Sequence, residues 1–482
     1  MKRKSLLVLS SLVLALPGSY LQAETVDTAQ LTLQDCIAIA LERNQALQVS
    51  AAALAMAEAQ YQQAMSAYWP GISAQVNAQR ADQDRTFSVR GDAKLSPEVA
   101  FALNSIPAVK NAIDAGLAKP IESIPMNFDI KLYDRDLLTA SINLTYPIFT
   151  GGKRSALVGQ ADKGVKIAEV GQRKSRLEVI RDVKKYYYGA QFALEMEQLA
   201  SDTLERFKAL EDLTERLYQH GSMRVKKTDY LRTKTTTALT RSILNEATYA
   251  RELAHEALAN AMGLDWQAKL TLAKDEQPVQ LDEDLIKLVA AAEEFNPDIQ
   301  QLKLAVQVAG DQISEARSGY FPVIGFQASA YKLWNEFDAG LINSDNREGW
   351  TIGIGLQWNL FDGFRTSGKI NQAKARQRQL ESQKILLDQG MALQVKQQFL
   401  RLRSASHQVK DTFEAYGYAH ENRTLHVRAY QEELVDTKDV IESQIVETFA
   451  QGSHYRSKHA VEMALTTLEF LVGQNIRELN QP

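Results

Sequence analysis

Two carboxylates near the carboxyl end of the chain, Asp439 and Glu442, are spaced to act together. They lie three positions apart, so a helix would place both on one face. Repeated around a symmetric assembly, such a pair would form rings of negative charge that attract cations and repel one another. The alternative is an ordinary solvated acidic face, and the spacing alone favours that simpler interpretation.

A second polar cluster surrounds a turn that the sequence predicts at residues 220–222. It combines basic residues with a tyrosine, a glycine and an aspartate, namely Arg216, Tyr218, Gly221, Arg224, Lys226, Lys227 and Asp229. Gly221 suits a turn because glycine adopts positive φ without strain. Contact with a partner and simple solubility both remain open interpretations of these residues.

Enzymatic chemistry finds little support in the chain. None of the seven histidines is spaced i,i+4 from another or lies in an HExxH pattern. The sequence also lacks a GxSxG motif and a glycine loop of the kind that cradles phosphate. We therefore expect a protein that is not an enzyme, with no catalytic residue, no cofactor and no metal site.

The amino terminus predicts export from the cytoplasm. Residues 1–23 combine three basic residues, an apolar run and a Pro-Gly break before Ala23, which is typical of a secretory signal peptide. Removing it takes the formal charge from -4 to about -7, so no basic bias toward nucleic acid remains. Cys36 is the only cysteine, which excludes an internal disulfide. Beyond residue 23 no run of 18 apolar residues occurs, so any membrane crossing must use strands.

Four segments have the two-faced alternation of β-strands, at residues 72–80, 138–149, 323–334 and 350–361. Each has one apolar face, and their length fits a strand that crosses an outer membrane. A strand in a soluble sheet could alternate in the same way. The 81–136 connection is polar and interrupted by four prolines, and we expect a short helix in it near 108–117.

Long helices account for most of the remaining chain. Residues 31–68 read as one helix opened by Thr32, with Asp35 in the capping-box position. Residues 153–218 predict a single helix of roughly 100 Å at 1.5 Å per residue. A second helix then runs to Gly263 and forms a hairpin with the first, and residues 264–284 read as an irregular connector.

After residue 284 the order of helix, two strands and two long helices occurs a second time, which predicts an internal duplication. The helix-to-strand turns at Pro70 and Pro322 match each other in order and in neighbouring residues. The strand-to-helix turns match in the same way and consist of Phe149, Gly151 and Gly152 in the first copy and Phe361 and Gly363 in the second. We expect a first repeat at 24–263, a connector at 264–284 and a second repeat at 285–482.

Four strands are too few for one chain to seal a membrane barrel. Closed barrels need about eight or more, and an open edge in lipid leaves backbone groups unpaired. Several copies must therefore share one barrel, and a dimer, trimer or tetramer would supply about 8, 12 or 16 strands. The strand count requires an oligomer without choosing among these.

The chain resembles the TolC family of outer-membrane factors. The resemblance covers about residues 31–473 and lies in the opening LTLQDCIAIALERN, the duplicated turns described above and the terminal YRSKHAVEMALTTLEFLVG. It implies an α+β membrane protein, a homotrimer with a 12-stranded outer-membrane barrel continued by a long periplasmic α-helical barrel. Such proteins are exit ducts of tripartite efflux pumps or type I secretion systems, which work with a periplasmic membrane-fusion adaptor and an inner-membrane pump of RND or ABC type.

The resemblance also implies roles for the two polar clusters. Asp439 and Glu442 match the acidic positions of the periplasmic entrance constriction, with Glu442 where the family pattern has aspartate. The residues from Arg216 to Asp229 match the tip that meets the adaptor. At the second turn Glu433 stands where the turn glycine would fall, which leaves the geometry of that tip open.

Two other functions remain as alternatives. A surface adhesin or scaffold would use the long helices as a stalk outside the cell, and the long 81–136 connection keeps that hypothesis open. A soluble periplasmic coiled-coil protein is the third. Within the duct hypothesis, the exported substrate, and the choice between drug efflux and protein secretion, remain open because specificity belongs largely to the pump.

Overall fold

The computed structural model describes residues 30–273, 284–335 and 345–474. The predicted signal peptide, residues 274–283 of the connector and the last eight residues lie outside these ranges. The helices are α1 Leu33–Arg43, α2 Gln45–Met65, α3 Pro97–Asn104, α4 Pro107–Asp114, α5 Lys153–Gln219, α6 Lys227–Ala261, α7 Leu285–Phe295, α8 Pro297–Arg317, α9 Arg365–Gln431 and α10 Thr437–Val472. The strands are β1 Gly71–Arg80, β2 Arg85–Lys94, β3 Ser123–Tyr133, β4 Asp136–Phe149, β5 Val323–Trp334 and β6 Glu348–Gln357.

The same order of elements occurs twice along the chain. Helices α1 and α2 recur as α7 and α8, and α5 recurs as α9. Both α5 and α9 have 67 residues. The compact units cut across this repetition: one contains the described residues of Met1–Ala57, Val165–Ala305 and Gln379–Pro482, and the other contains Glu58–Gly164 and Val306–Arg378. The boundaries of the two sequence repeats stay a prediction.

The segment 31–68, expected as one helix, is divided by a break at Asn44. Thr32 caps α1 and forms the expected capping box with Asp35. At Asn44 the backbone turns extended, and the side-chain oxygen accepts the N–H of Ala46 at 2.8 Å, which starts α2. The side-chain amide donates to Ala261 O at 2.7 Å. The prediction of an unbroken helix was wrong because an asparagine that binds its own backbone ends one helix and begins the next.

The second repeat has the same break, at Asn296. Its amide donates to Leu471 O at 2.8 Å, and its oxygen accepts the N–H of Asp298 at 2.9 Å. In both copies the second helix of the hairpin, α6 or α10, ends at a glycine packed on this break: a Cβ at Gly263 would lie 2.7 Å from Arg43 O, and one at Gly473 would lie 2.7 Å from Phe295 O. Both glycines have positive φ, so this corner requires glycine twice.

Replacing Asn296 by alanine is expected to reduce the free energy of unfolding by about 2 kcal/mol, because it leaves the Leu471 carbonyl and the Asp298 N–H without their partner in a buried site. Asn44 is the matched control, since it makes the same two kinds of hydrogen bond while half-buried. Its alanine variant should lose less. Thermal unfolding of both variants in detergent measures the difference, and equal losses would contradict the role of burial.

Four strands form one antiparallel sheet in the order β1-β4-β5-β6. Three strands match their predicted ranges closely, and the fourth, expected at 350–361, ends at Gln357. Strand β6 ends at Gln357 because its partner strand goes no further: Gln357 pairs with Val323, the first residue of β5, which directly follows Pro322. Beyond this point the Trp358 indole N–H donates to Tyr320 O at 3.1 Å instead of joining the strand.

The register of this sheet collects the apolar residues on one face. Residues directly opposite each other in antiparallel strands share a face, and Ile72 pairs with Leu144, Tyr146 with Phe326, and Phe326 with Ile354. The other face is mainly small and polar, with Leu137, Val323, Tyr331 and Leu333 as its larger members; the small and polar residues on it are Ser73, Gln75, Asn77, Thr139, Ser141, Asn143, Gln327, Ser329, Thr351, Gly353, Gly355 and Gln357. The two faces of the sheet therefore differ in polarity across all four strands.

The connection at 81–136 contains the expected short helix and three further regular elements. Strands β2 and β3 pair along their whole length, and α3 and α4 lie between them, with α4 close to the expected 108–117 helix. The sequence did not predict β2, α3 and β3, because the prolines made the segment read as a punctuated connection. Pro97 and Pro107 instead occupy the first turns of the two helices, where a missing N–H is tolerated.

The buried core of the described residues lies among the helices. One cluster includes Leu288, Val395 and Leu468, and a related one includes Cys36, Val183 and Leu258. Burial raises the pKa of the Cys36 thiol to about 12, so this cysteine is unreactive at neutral pH. Leu31 forms a parallel bridge with Leu272 of the predicted connector. Among the described helices, none combines the length and the apolar character that spanning a membrane would require.

Candidate functional site

The first hairpin tip lies between the end of α5 and the start of α6. Gly221 has φ +72°, and the N–H of Ser222 donates to Leu217 O at 3.0 Å, which closes the end of α5. The Asp229 carboxylate accepts the N–H of Lys226 at 3.1 Å and so caps the first turn of α6. Gly221 therefore occupies the glycine position that the sequence predicts, and Asp229 stabilises the start of α6 as a capping residue.

The second tip, between α9 and α10, has the same geometry although Glu433 replaces the glycine. Glu433 adopts φ +64°, and the N–H of Leu434 donates to Ala429 O at 2.8 Å, the counterpart of the bond that Ser222 makes in the first tip. A non-glycine residue in this conformation costs about 1 kcal/mol. The Glu433 carboxylate lies 3.3 Å from Arg224 NH1, a contact that glycine would lack. The second tip therefore keeps the turn geometry of the first even though Glu433 replaces the glycine.

Asp439 and Glu442 lie in the first two turns of α10, but each has its own partner. The Asp439 carboxylate accepts the N–H of Asp436 at 3.0 Å, the same capping contact that Asp229 makes in the first tip. Glu442 is exposed and lies 3.4 Å from the Lys438 ammonium group. Within one chain these contacts suffice to explain both carboxylates, and a charged ring would need further copies.

Arg224 joins the two tips. Its NH2 donates to Tyr430 O at 3.1 Å, and its guanidinium lies 5.2 Å from the centre of the Tyr430 ring. Tyr430 is buried in a small cluster with Phe207, Leu210, Val440 and Ile441. Of the residues predicted to contact a partner, Arg224 is therefore engaged inside the chain, where it holds the second tip against the first.

The other residues of the first tip remain accessible. Lys226 and Lys227 are exposed, and Tyr218 stacks on Tyr230 with 5.8 Å between ring centres. The Tyr230 hydroxyl binds the Lys234 ammonium group at 2.9 Å, and this hydrogen bond raises the pKa of Lys234. The Nε of Arg216 donates to Asp212 O at 3.1 Å.

Met223 was missed by sequence reasoning. Its side chain is fully exposed at the end of the first tip, where it presents an apolar, flexible surface among charges. Its place directly after the predicted His-Gly-Ser turn could have indicated that this methionine is exposed.

The turns that join strands and helices are also duplicated. After β4, Gly151 and Gly152 have φ +62° and +88°; after β6, Gly363 and Phe364 have φ +66° and +64°. A Cβ at Gly151 would lie 2.6 Å from Phe321 Cβ, whereas Gly363 has open space around it. Pro70 and Pro322 precede β1 and β5, and Phe149 and Phe361 stand shortly before the glycines. In the described ranges, no group of three or more His, Cys, Asp or Glu side chains is arranged to hold a metal ion.

Sequence comparison places the chain among known proteins. The family model described as outer membrane efflux protein matches residues 36–264 and 288–474. The probable efflux pump outer membrane protein TtgC and the antibiotic efflux pump outer membrane protein ArpC, both of Pseudomonas putida, are each 22% identical over 347 residues. Each match covers 71% of this chain and 62% of the relative, so it spans about three fifths of the relatives' length.

The fold is that of solved outer-membrane channels. VceC of Vibrio cholerae aligns with a TM-score of 0.69 at 17% identity and covers 92% of this chain and 96% of that one. The CmeC outer membrane channel of Campylobacter jejuni aligns with a TM-score of 0.73 at 14% identity and covers 92% and 86%. At these identities the similarity concerns the fold.

Proposed function

The chain belongs to the outer membrane efflux protein family, and on that basis we propose that it is the outer-membrane exit duct of a tripartite efflux pump. It would passively conduct small molecules to the exterior, with energy supplied by an inner-membrane pump of RND or ABC type through a periplasmic membrane-fusion adaptor. TtgC and ArpC are named as outer membrane proteins of efflux pumps, which favours efflux over type I secretion.

The observation that carries this proposal is the sheet. Its apolar face is shared by all four strands, and its edge strands β1 and β6 have no further neighbour in the described part of the chain. An apolar face with open edges is unstable alone in lipid, because each unpaired backbone group costs several kcal/mol there. Three copies pairing β6 with β1 would close a 12-stranded barrel that is apolar outside and polar inside.

The long helices support the same assembly. Leu386, Leu393 and Leu400 recur every seven residues on α9 and remain 67%, 68% and 49% exposed in the single chain. A heptad seam of leucine is the surface that helices bury against one another. We infer that a helix of a neighbouring copy covers it, so that the helices of a homotrimer form a periplasmic helical barrel.

Membrane fractionation and conductance test the proposed function together. We expect the protein in the outer-membrane fraction, as a trimer in detergent that forms pores in planar bilayers. A monomer that is soluble without detergent would overturn the proposal. Protease treatment of intact cells tests the stalk alternative, which predicts loss of the long helices where the duct predicts cleavage only in the connections between strands.

The combined substitutions Asp439→Asn and Glu442→Gln should weaken block of the pore by multivalent cations at least tenfold, because the two lost charges together remove about 2 kcal/mol of attraction even in water and about 1.4 kcal/mol already corresponds to a factor of ten. Asp229→Asn is the matched control, since it removes the equivalent capping carboxylate of the first tip. Titration of the block in planar bilayers measures the effect. Unchanged block in the double variant would place the constriction elsewhere.

A further inference from the structure

The four-stranded sheet carries its charged side chains at one end of its apolar face. Strands β1, β4, β5 and β6 contain four charged residues: Arg80 pairs with Asp136, and Lys332 pairs with Glu348. The register puts all four on the apolar face, within two residues of the strand ends that lead to another strand and not to a helix. In the proposed barrel these charges lie at the outer membrane surface, facing lipid and not the bore.

A groove opens among these charges. It has a volume of about 420 Å³ and lies at the ends of three adjacent strands. Ala78 pairs with Leu138, and Leu138 pairs with Trp334, so these three form one row across β1, β4 and β5. Arg80 and Asp136 form the next row outward. We call these five residues the rim groove, which has an apolar floor, an aromatic side and a charged outer end.

The charged end of the groove carries more positive than negative charge. The Asp136 carboxylate lies 3.5 Å from Arg80 Nε and 3.6 Å from Arg135 Nε, so one carboxylate is shared by two guanidinium groups. The Arg80 side chain is 69% exposed, and its contact with Asp136 uses Nε. Its two terminal nitrogens are therefore available to an outside acceptor, and this planar pair of donors fits the oxygens of a phosphate.

An arginine at the other end of the sheet is used differently. Arg154, just beyond β4, donates from its two terminal nitrogens to carbonyl groups of the chain, to Ala67 O at 3.3 Å and to Ile148 O at 2.9 Å. Its guanidinium also lies 4.9 Å from the centre of the Tyr68 ring. Arg154 thus binds the protein itself, whereas Arg80 presents the same donors outward.

The aromatic side of the groove is held by a neutral pair. The Lys332 ammonium group lies 5.9 Å from the centre of the Trp334 ring, a cation–π contact on one face of β5. The same ammonium group donates to the Glu348 carboxylate at 2.8 Å. Lys332 therefore positions Trp334 without adding net charge, and the attraction for an anion comes from the arginines.

We propose that the rim groove binds the phosphorylated headgroup of a lipopolysaccharide molecule in the outer leaflet of the outer membrane. Arg80 would bind a phosphate, while Leu138 and Trp334 contact the adjoining sugar and the first carbons of the acyl chains. A volume of about 420 Å³ is in the range of small-ligand sites, about 300–1,000 Å³, and holds a phosphorylated sugar but not a whole lipid. This inference rests on the proposed duct function, which places this end of the sheet at the cell surface.

Native mass spectrometry of the full-length protein in detergent tests the inference, with lipopolysaccharide of short sugar chain as the probe. The wild type should bind one molecule per chain. Arg80→Gln should weaken binding roughly tenfold, because a charge-assisted pair of hydrogen bonds is lost. Arg90→Gln is the matched control, since Arg90 is 67% exposed in the same connection between strands but contacts Asn127 and Asp129 outside the groove. It should bind like the wild type.

A second variant blocks the groove and keeps its charges. Ala78→Phe fills the floor with an apolar side chain on the lipid-facing side, where it is compatible with insertion, and it should also weaken binding roughly tenfold. This variant tests the groove even if Arg80→Gln fails to assemble. Full binding by Ala78→Phe would overturn the inference, and so would equal losses in Arg80→Gln and Arg90→Gln.

Changing the probe tests the phosphate and the lipid separately. Dephosphorylated lipopolysaccharide should bind the wild type no better than the intact molecule binds Arg80→Gln. Equal binding with and without the phosphates would overturn the inference. Displacement by millimolar inorganic phosphate, or equally tight binding of phosphatidylglycerol, would indicate a general anion site and would overturn it too.

The outcomes distinguish the inference from the function beneath it. A wild-type protein that forms conducting pores but binds no lipopolysaccharide would overturn the rim groove alone. A wild-type protein without conductance would overturn the proposed duct, and the comparison of Arg80→Gln with Arg90→Gln would still decide whether the groove binds the headgroup.

Discussion

Lysine in place of Ile354 is expected to keep the protein out of the outer membrane, whereas lysine in place of Gly355 leaves insertion intact. Ile354 is 71% exposed in the single chain and lies on the apolar face of the sheet, opposite Phe326. A lysine on the lipid side of a barrel costs roughly 2–4 kcal/mol near the bilayer midplane, and a trimer would incur that cost in each copy. Outer-membrane fractionation measures the difference.

Gly355 makes this comparison sharp because it is the next residue of the same strand and faces the other side. A side chain there meets open space, so lysine introduces no collision. In the proposed barrel it would point into the water-filled interior. If both variants reach the outer membrane equally, the apolar face does not meet lipid; if only Gly355→Lys fails, the two faces are reversed.

The second large effect is expected at Gly151, where alanine should reduce the free energy of unfolding by about 1–3 kcal/mol more than alanine at Gly363. Both glycines have nearly the same positive φ, so both variants incur the same backbone strain. Only at Gly151 does the new methyl group collide, 2.6 Å from Phe321 Cβ and 2.8 Å from Ser318 O. The difference therefore isolates steric overlap from conformational strain.

The stability of both glycine variants is measured by thermal unfolding of the detergent-solubilised protein, with the loss of β-strand circular dichroism as the signal. Gly363→Ala should shift the midpoint modestly, because nothing lies within 4 Å of its Cβ position. Equal losses at positions 151 and 363 would mean that the turn next to Phe321 adjusts without strain.

Periodicity predicted the parts of the fold whose residues repeat. The alternation in β4 and β5 and the uninterrupted run of α5 were visible in the chain, and the duplicated turns placed them in order. The break at Asn44 was not visible, because an asparagine ends a helix only when its side chain finds partners, here the Ala46 N–H and the distant carbonyl of Ala261. Local sequence does not encode that distant partner.

The sequence predicted where the hairpin tips lie, but it predicted only some of the contacts that their side chains make. Asp439 and Glu442 do lie on one helix, for which their spacing was interpreted, yet their capping and ion-pair partners depend on the exact start of α10. Glu433 left the geometry of its turn open, and the backbone adopts positive φ there because the two tips share one hydrogen-bond pattern. The burial of Glu447 on α10 could not be predicted, since its partners Arg206 and Arg423 lie on two other helices.

The matched lengths of α5 and α9 limit how this chain can change over evolution. Each has 67 residues, and Arg224 at the end of one hairpin must meet Tyr430 at the end of the other. One heptad added to either of them would displace its tip by about 10 Å relative to the other. A homologue with longer hairpins would therefore need whole heptads added in both repeats at once, and in the helices that correspond to α6 and α10 as well.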